Sequence, residues 1–189
     1  MSTKFFTNNK DNTIFQKFKG IFVNMKDIYA FHAVVGYFRS SGYFALQEYL
    51  KEIEDVKILV GINVDQMFAE AQRKGLLYFG DEEKTKTEFL KWFIQDLREA
   101  KYSEQVENGV LDFIQDLIDG KIEVRAHNSK AIHAKFYLFL PEKYTEHSDG
   151  WVIMGSSNLT EAGLGIKKSP NYELNIALKD YDDVKFSNG

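Results

Sequence analysis

The 189-residue chain contains no cysteine, which excludes a disulfide framework and any thiolate-ligated metal site. Proline is almost as scarce. Two prolines and 13 glycines leave nothing for a flexible or proline-rich linker. Apolar runs such as Phe136 to Pro141 fall far short of the ~20 residues that a membrane-spanning helix needs. Met1 to Asn12 is polar and lacks the apolar centre of a secretory leader. These absences lead us to expect a soluble, cytoplasmic protein. The length suits one domain, and 44% hydrophobic against 28% charged residues is a globular balance. We expect residues 1–189 to form a single domain cut from a longer protein, because Asp180 to Gly189 is charged and weakly patterned.

The net charge of −4 hides an asymmetry. Residues 81–119 hold 11 acidic and 5 basic side chains, so the rest of the chain is mildly basic. Residues 1–40 carry six Lys/Arg against two Asp. Such a split fits a basic face for a polyanion, and equally an acidic helix surface in water. Charge alone does not choose between them.

Hydrophobic patterning gives an α/β class. Ala33 to Phe38 reads as a buried strand, Ser40-Ser41-Gly42 as cap and turn for a short helix, and Val56 to Gly61 as a second strand. Strand, helix, strand in that order argues for a parallel pair. Phe44, Leu46, Tyr49 and Leu50 supply the apolar stripe of the short helix. Residues 65–74 read as another short helix. From Glu82 to Ile118, apolar residues recur at helical spacing, and Asp119-Gly120 closes the run. Strands follow over Ile122 to Ala126, Ala134 to Leu140, Trp151 to Met154 and Glu173 to Leu178. The expectation is a mixed β-sheet flanked by helices, with a helical insertion at about 82–119.

Four histidines limit the catalytic options. His133 and Lys135 stand two apart at a strand start, which places both on one face. The next strand ends in Gly155-Ser156-Ser157-Asn158, where small hydroxyls, an amide and backbone N–H groups can surround an anion. A histidine nucleophile, a fixed cation and neutral donors suit attack on a phosphodiester. No Asp/Glu/His set with metal-ligand spacing accompanies them, so no metal and no other cofactor is expected. Ser157 alternates with Ser156 and so turns away to pack. His127 and His147 fall on loop or strand-edge positions and read as solvent-facing or structural, and His32, ahead of the first expected strand, has no partner legible in sequence. Arg39-Ser40-Ser41 reads as a helix cap, and Tyr37, Tyr43 and Tyr172 are candidates for stacking on bases.

Ile132-His133-Ala134-Lys135, then Gly155-Ser156-Ser157-Asn158-Leu159-Thr160, then Asn171-Tyr172-Glu173-Leu174-Asn175 resemble the phospholipase D superfamily, over about residues 30–180. That signature is H-x-K-x4-D followed by G-S-x-N. Position 140, where the aspartate falls, is Leu140. The resemblance implies that His133 attacks phosphorus and forms a phosphohistidine. It assigns Lys135, Ser156 and Asn158, with Gly155 and Ser157 beside them, to the phosphoryl oxygens. It assigns Glu173 to holding the histidine tautomer. A second histidine must protonate the leaving oxygen, and the chain has one motif copy. The implied assembly is therefore a homodimer about a two-fold axis, with Gly155 to Asn158 and Asn171 to Asn175 near the interface.

Short and with a single motif copy, the chain looks most like nuclease domains of restriction systems, and it also resembles a domain N-terminal to some superfamily-two helicases. The implied function is a metal-independent phosphodiesterase acting on DNA, or on RNA, beside attached helicase or restriction domains and away from membranes. The alternative is a nucleic-acid-binding module with weakened catalysis, which Leu140 favours.

Overall fold

In the computed structural model, the described residues are 4–8, 11–61, 112, 115–116, 119–126, 132–145 and 148–179. Among these residues, seven strands form one mixed sheet: β1 (Phe5–Thr7), β2 (Ile28–Val35), β3 (Asp55–Val60), β4 (Ile122–Ala126), β5 (Lys135–Pro141), β6 (Trp151–Gly155) and β7 (Leu174–Lys179), in the order β1-β7-β6-β5-β2-β3-β4. β2, β3 and β4 are parallel, and every other neighbouring pair is antiparallel. The expected parallel pair and mixed sheet are therefore present.

The register places Lys135 opposite Gly155, and Gly155 opposite Asn175. Three motif residues from three strands thus form a row across one end of the sheet. The C-terminal end of parallel β2 points to that same end, because Val34 stands opposite Phe136.

One sheet face is the core. Its strand residues Phe31, Ala33, Val35, Tyr137, Phe139, Ile153 and Ala177 are buried. Helix α1 (Ile14–Asn24) covers them with Ile14, Phe18 and Ile21, spaced for one helical face. Phe18 meets Tyr137, Phe139 and Phe31 edge-on, at ring-centroid distances of 4.9, 5.4 and 6.0 Å. Such pairs add about 0.5–1.5 kcal/mol each beyond burial. Thr13 caps α1 by accepting the Gln16 N–H at 3.2 Å. β1 and α1 fall outside the elements expected from patterning, although Thr13-x-x-Gln16 is a capping-box pattern.

Strand β2 begins and ends earlier than the expected span of Ala33 to Phe38. After Val35 the chain leaves the ladder to pair with the segment behind β6: Phe38 bridges Leu159, and the Arg39 N–H donates to the Leu159 carbonyl at 3.0 Å. His32 consequently sits inside a strand. Its Nε2 lies 2.9 Å from Asp55 Oδ2, which also accepts from Lys57 Nζ at 2.8 Å. The short helical segment divides into α2 (Ser40–Phe44) and α3 (Gln47–Leu50). Arg39, and not Ser40 or Ser41, occupies the cap position, without a side-chain capping bond, and the helix begins at Ser40.

Residues 62–111, which carry the expected helix over 65–74 and most of the 82–119 insertion, lie outside the described residues, as do His127 and His147. Of the second insertion helix, Asp112, Gln115 and Asp116 are helical. Asp112 Oδ2 accepts from Lys51 Nζ at 2.9 Å and Gln47 Nε2 at 3.2 Å. Gly120 follows at φ 74°, the left-handed conformation expected at that stop. Among the described residues, no helix is long and apolar enough to cross a membrane.

Candidate active site

The first determinant is Gly36, where β2 stops. A Cβ there would lie 2.9 Å from the Ile132 carbonyl oxygen, 3.3 Å from Lys135 Nζ and 3.5 Å from Asn158 Oδ1. Only a bare Cα allows the backbone before β5, the Lys135 ammonium and the Asn158 amide to share this space. Lys135 is half-buried, and its Nζ donates back to the His133 carbonyl at 2.7 Å. Asn158 Oδ1 accepts the Tyr37 N–H at 2.9 Å. That bond fixes the amide orientation and leaves Nδ2 as a donor for a ligand oxygen.

The loop carrying Asn158 is held from beneath. Ser157 is fully buried: its Oγ accepts from Asn175 Nδ2 at 2.9 Å, and its carbonyl accepts from the Tyr137 hydroxyl at 2.8 Å. The Ser157 N–H donates to Asn175 Oδ1 at 3.4 Å. Its hydroxyl is thus committed to Asn175 and faces away from the pocket, as the alternation with Ser156 implied, so it is no phosphate contact. Burial, and secondarily the Glu173 carboxylate, push the Tyr137 phenol well above its usual range, so it remains a donor. Gly155 leaves the room that Asn175 occupies, since a Cβ there would collide with Asn175 Oδ1 and the Leu174 carbonyl.

Ser156 is exposed at the rim. Its Oγ donates to Glu173 Oε2 and accepts the Leu174 N–H at 3.0 Å. The family resemblance gives Glu173 to the histidine; within this chain the carboxylate is engaged by Ser156. His133 lies in the segment ahead of β5 and is exposed, and no hydrogen bond to its imidazole is found among the described residues. Glu173 is anchored from outside the motifs. Asn8 Oδ1 accepts the Glu173 N–H at 3.3 Å, while Asn8 Nδ2 donates to the Asn171 carbonyl at 2.8 Å.

Leu140 stands five residues beyond Lys135 on the same strand and opposite Ala30. At the usual rise per residue that is about 16 Å away, and the odd separation turns its side chain to the other sheet face. Position 140 therefore lies away from Lys135, Gly155 and Asn158. Tyr43, at 1% exposure, is core and unavailable for stacking, whereas Tyr37 and Tyr172 are 38% and 74% exposed.

Gly36, the Tyr37 N–H, Tyr137, Asn175 and Asn8 belong to the site although sequence patterning gave them no part in it. Asn175 falls within a motif that assigns it no role. The others had no local signal, because each matters through a partner distant in the chain.

The arrangement defines an α/β domain whose mixed sheet gathers lysine, amide and hydroxyl groups at one strand end. A family model described as "Cardiolipin synthase, PLD-like domain" matches residues 34–186, and the chain belongs to this phospholipase D-like family. Its members are in general phosphodiester hydrolases. The matched span begins inside β2, so β1 and α1 lie before it. Among curated proteins, none matches the chain significantly.

Proposed function

We propose that this domain hydrolyses phosphodiester bonds in nucleic acid, DNA in the first instance, by way of a phosphohistidine on His133. The observation that carries this reading is the convergence of Lys135 Nζ and Asn158 Oδ1 above Gly36, both within 3.5 Å of where a Cβ would stand. The oxygen of the Asn158 amide is held by the Tyr37 N–H, which leaves its Nδ2 to donate; a cation with an amide donor beside it suits the equatorial oxygens of a pentacoordinate phosphorus. His133 forms the N–P bond as the P–O bond to the leaving alcohol breaks, and a second histidine gives that oxygen its proton. Water, deprotonated by the second histidine, then attacks phosphorus and releases His133.

The second histidine is His133 of another copy, so the active form is a homodimer about a two-fold axis through the pocket, with Gly155 to Asn158 and Asn171 to Asn175 near the interface. In a longer protein the domain would serve an attached helicase or restriction module in the cytoplasm.

The test is incubation of the purified chain with plasmid and single-stranded DNA in EDTA. Cleavage is expected in EDTA, with a loss of about 1,000-fold or more in His133→Ala and about 100-fold in Lys135→Ala. Cleavage that requires added Mg²⁺ would refute the mechanism. Light scattering at micromolar concentration tests the dimer. The replacement of the motif aspartate by Leu140 favours a second reading, a module that binds nucleic acid without cutting it; binding with no cleavage in any condition would select it.

A further inference from the structure

Two exposed tyrosines are tied by backbone hydrogen bonds to opposite sides of the pocket. Tyr37 follows β2, and its N–H is the donor that orients Asn158. The Arg39 guanidinium carbon lies over the Tyr37 ring, 5.0 Å from its centroid, so a cation backs one face of the ring and the opposite face is the one for a base. Tyr172 precedes β7, between two residues pinned by Asn8: the Asn171 carbonyl on one side and the Glu173 N–H on the other. Its backbone is thus fixed while its ring stands 74% exposed. A fixed aromatic held in water forfeits burial in the free protein. Lys167 and Lys168, both exposed, lie on the loop that leads to Tyr172.

Strands β2 and β7 are three inter-strand steps apart, so the strand ends that lead to the two tyrosines lie about 14 Å apart. That is about four rises of a stacked strand at 3.4 Å each. Aromatic faces beside a phosphate site recognise bases by stacking, which needs a base whose face is open. In a duplex those faces are covered by neighbouring base pairs. Cations alone would hold a duplex as readily; cations with exposed rings on both sides of the reacting phosphate discriminate.

We infer that Tyr37 and Tyr172, with Arg39, Lys167 and Lys168, form a stacking surface that makes single-stranded nucleic acid the substrate. This rests on the phosphodiesterase reading above and names the form of its substrate. The test is fluorescence anisotropy of a labelled oligothymidylate, alone and as a duplex with oligoadenylate, on a His133→Ala background that prevents cleavage. The single strand is expected to bind about tenfold tighter than the duplex. Tyr172→Ala should weaken single-strand binding about tenfold, leaving duplex binding and the circular dichroism spectrum unchanged. Tyr172→Phe should restore it, since stacking needs the ring and not the hydroxyl. Replacing Lys167 and Lys168 by Ala should make the salt dependence shallower, by about 0.7 for each phosphate no longer neutralised.

Equal affinity for duplex and single strand, or a Tyr172→Ala variant that binds like its parent, would overturn the inference. Cleavage in EDTA that depends on His133 would leave the catalytic reading standing in that event. Conversely, tyrosine-dependent single-strand binding without cleavage would keep the inference and remove the catalysis.

Discussion

The core beneath α1 and the strand-end site meet at Tyr137. The Tyr137 ring packs against Phe18 at 4.9 Å, while its hydroxyl donates to the Ser157 carbonyl at 2.8 Å. On the ring's side, contacts are apolar, edge-on with Phe18 and near-parallel with Phe31, and many side-chain shapes satisfy them with modest loss. On the hydroxyl's side, Ser157, Asn175, Asn158 and the Tyr37 N–H form directed bonds with assigned donors and acceptors. The core tolerates approximation because burial energy has no direction. The pocket does not, because a buried polar group that loses its partner incurs its full desolvation cost. Stability should therefore reside beneath α1, and activity should follow the geometry around Gly36.

The largest effect expected from this contrast is in the core. Phe18→Ala should cost about 3–5 kcal/mol in urea denaturation, while hydrolysis per folded molecule stays near that of the parent. A proportionate fall in activity would erase the distinction between the regions. Gly36→Ala tests the other side. A methyl group 2.9 Å from the Ile132 carbonyl oxygen and 3.3 Å from Lys135 Nζ must displace the backbone ahead of β5 and crowd the Lys135 ammonium, and a displacement of that kind should lower kcat about 100-fold, equivalent to about 2.7 kcal/mol. The accompanying shift in Tm should be small; a large one would place Gly36 with the core.

Tyr137→Phe probes the junction. The ring stays and the hydroxyl goes, leaving the Ser157 carbonyl without its donor, so a loss of about 1 kcal/mol in stability is expected. Denaturation of the parent and variant side by side measures it, and no change would mean that the loop needs no support from beneath.

The smallest effect lies on the other face, at Asp55. Partial burial opposes ionisation there, but the hydrogen bonds from Lys57 and His32 outweigh it and hold the carboxyl below its usual range. A depressed carboxyl stabilises the fold above its unfolded-state pKa of about 4. That contribution is lost as pH falls through the folded-state value. Asp55→Asn should lower stability near neutral pH by less than about 1 kcal/mol and flatten its decline below about pH 4. An unchanged acid limb in pH-dependent denaturation would show that the His32–Asp55–Lys57 cluster contributes nothing.

Sequence periodicity is a sound guide where one element decides its own pattern. β3, β4, β5, β6 and β7 each lie within a residue or two of their expected spans, since alternation and β-branched content are local properties. The motif order places Lys135, Gly155 and Asn158 at strand ends, because a strand's terminus is marked by the residues that end it. The span expected for β2 is displaced because Tyr37 and Phe38 are as strand-like as Val34 and Val35. What removes them from the ladder is Leu159, 121 residues beyond Phe38.

The sequence by itself determined the α/β class and the family, and it supplied the few polar residues proposed for phosphate chemistry. All three follow from residue type and spacing along the chain. The tertiary structure alone decided which groups share a hydrogen bond: Ser156 with Glu173, Ser157 with Asn175, Asn158 with the Tyr37 N–H, and Asn8 with the segment that presents Tyr172. A hydrogen bond depends on a separation of about 3 Å and an angle. The sheet register that brings such distant residues together is set by the packing of the whole core, which no local stretch of sequence encodes.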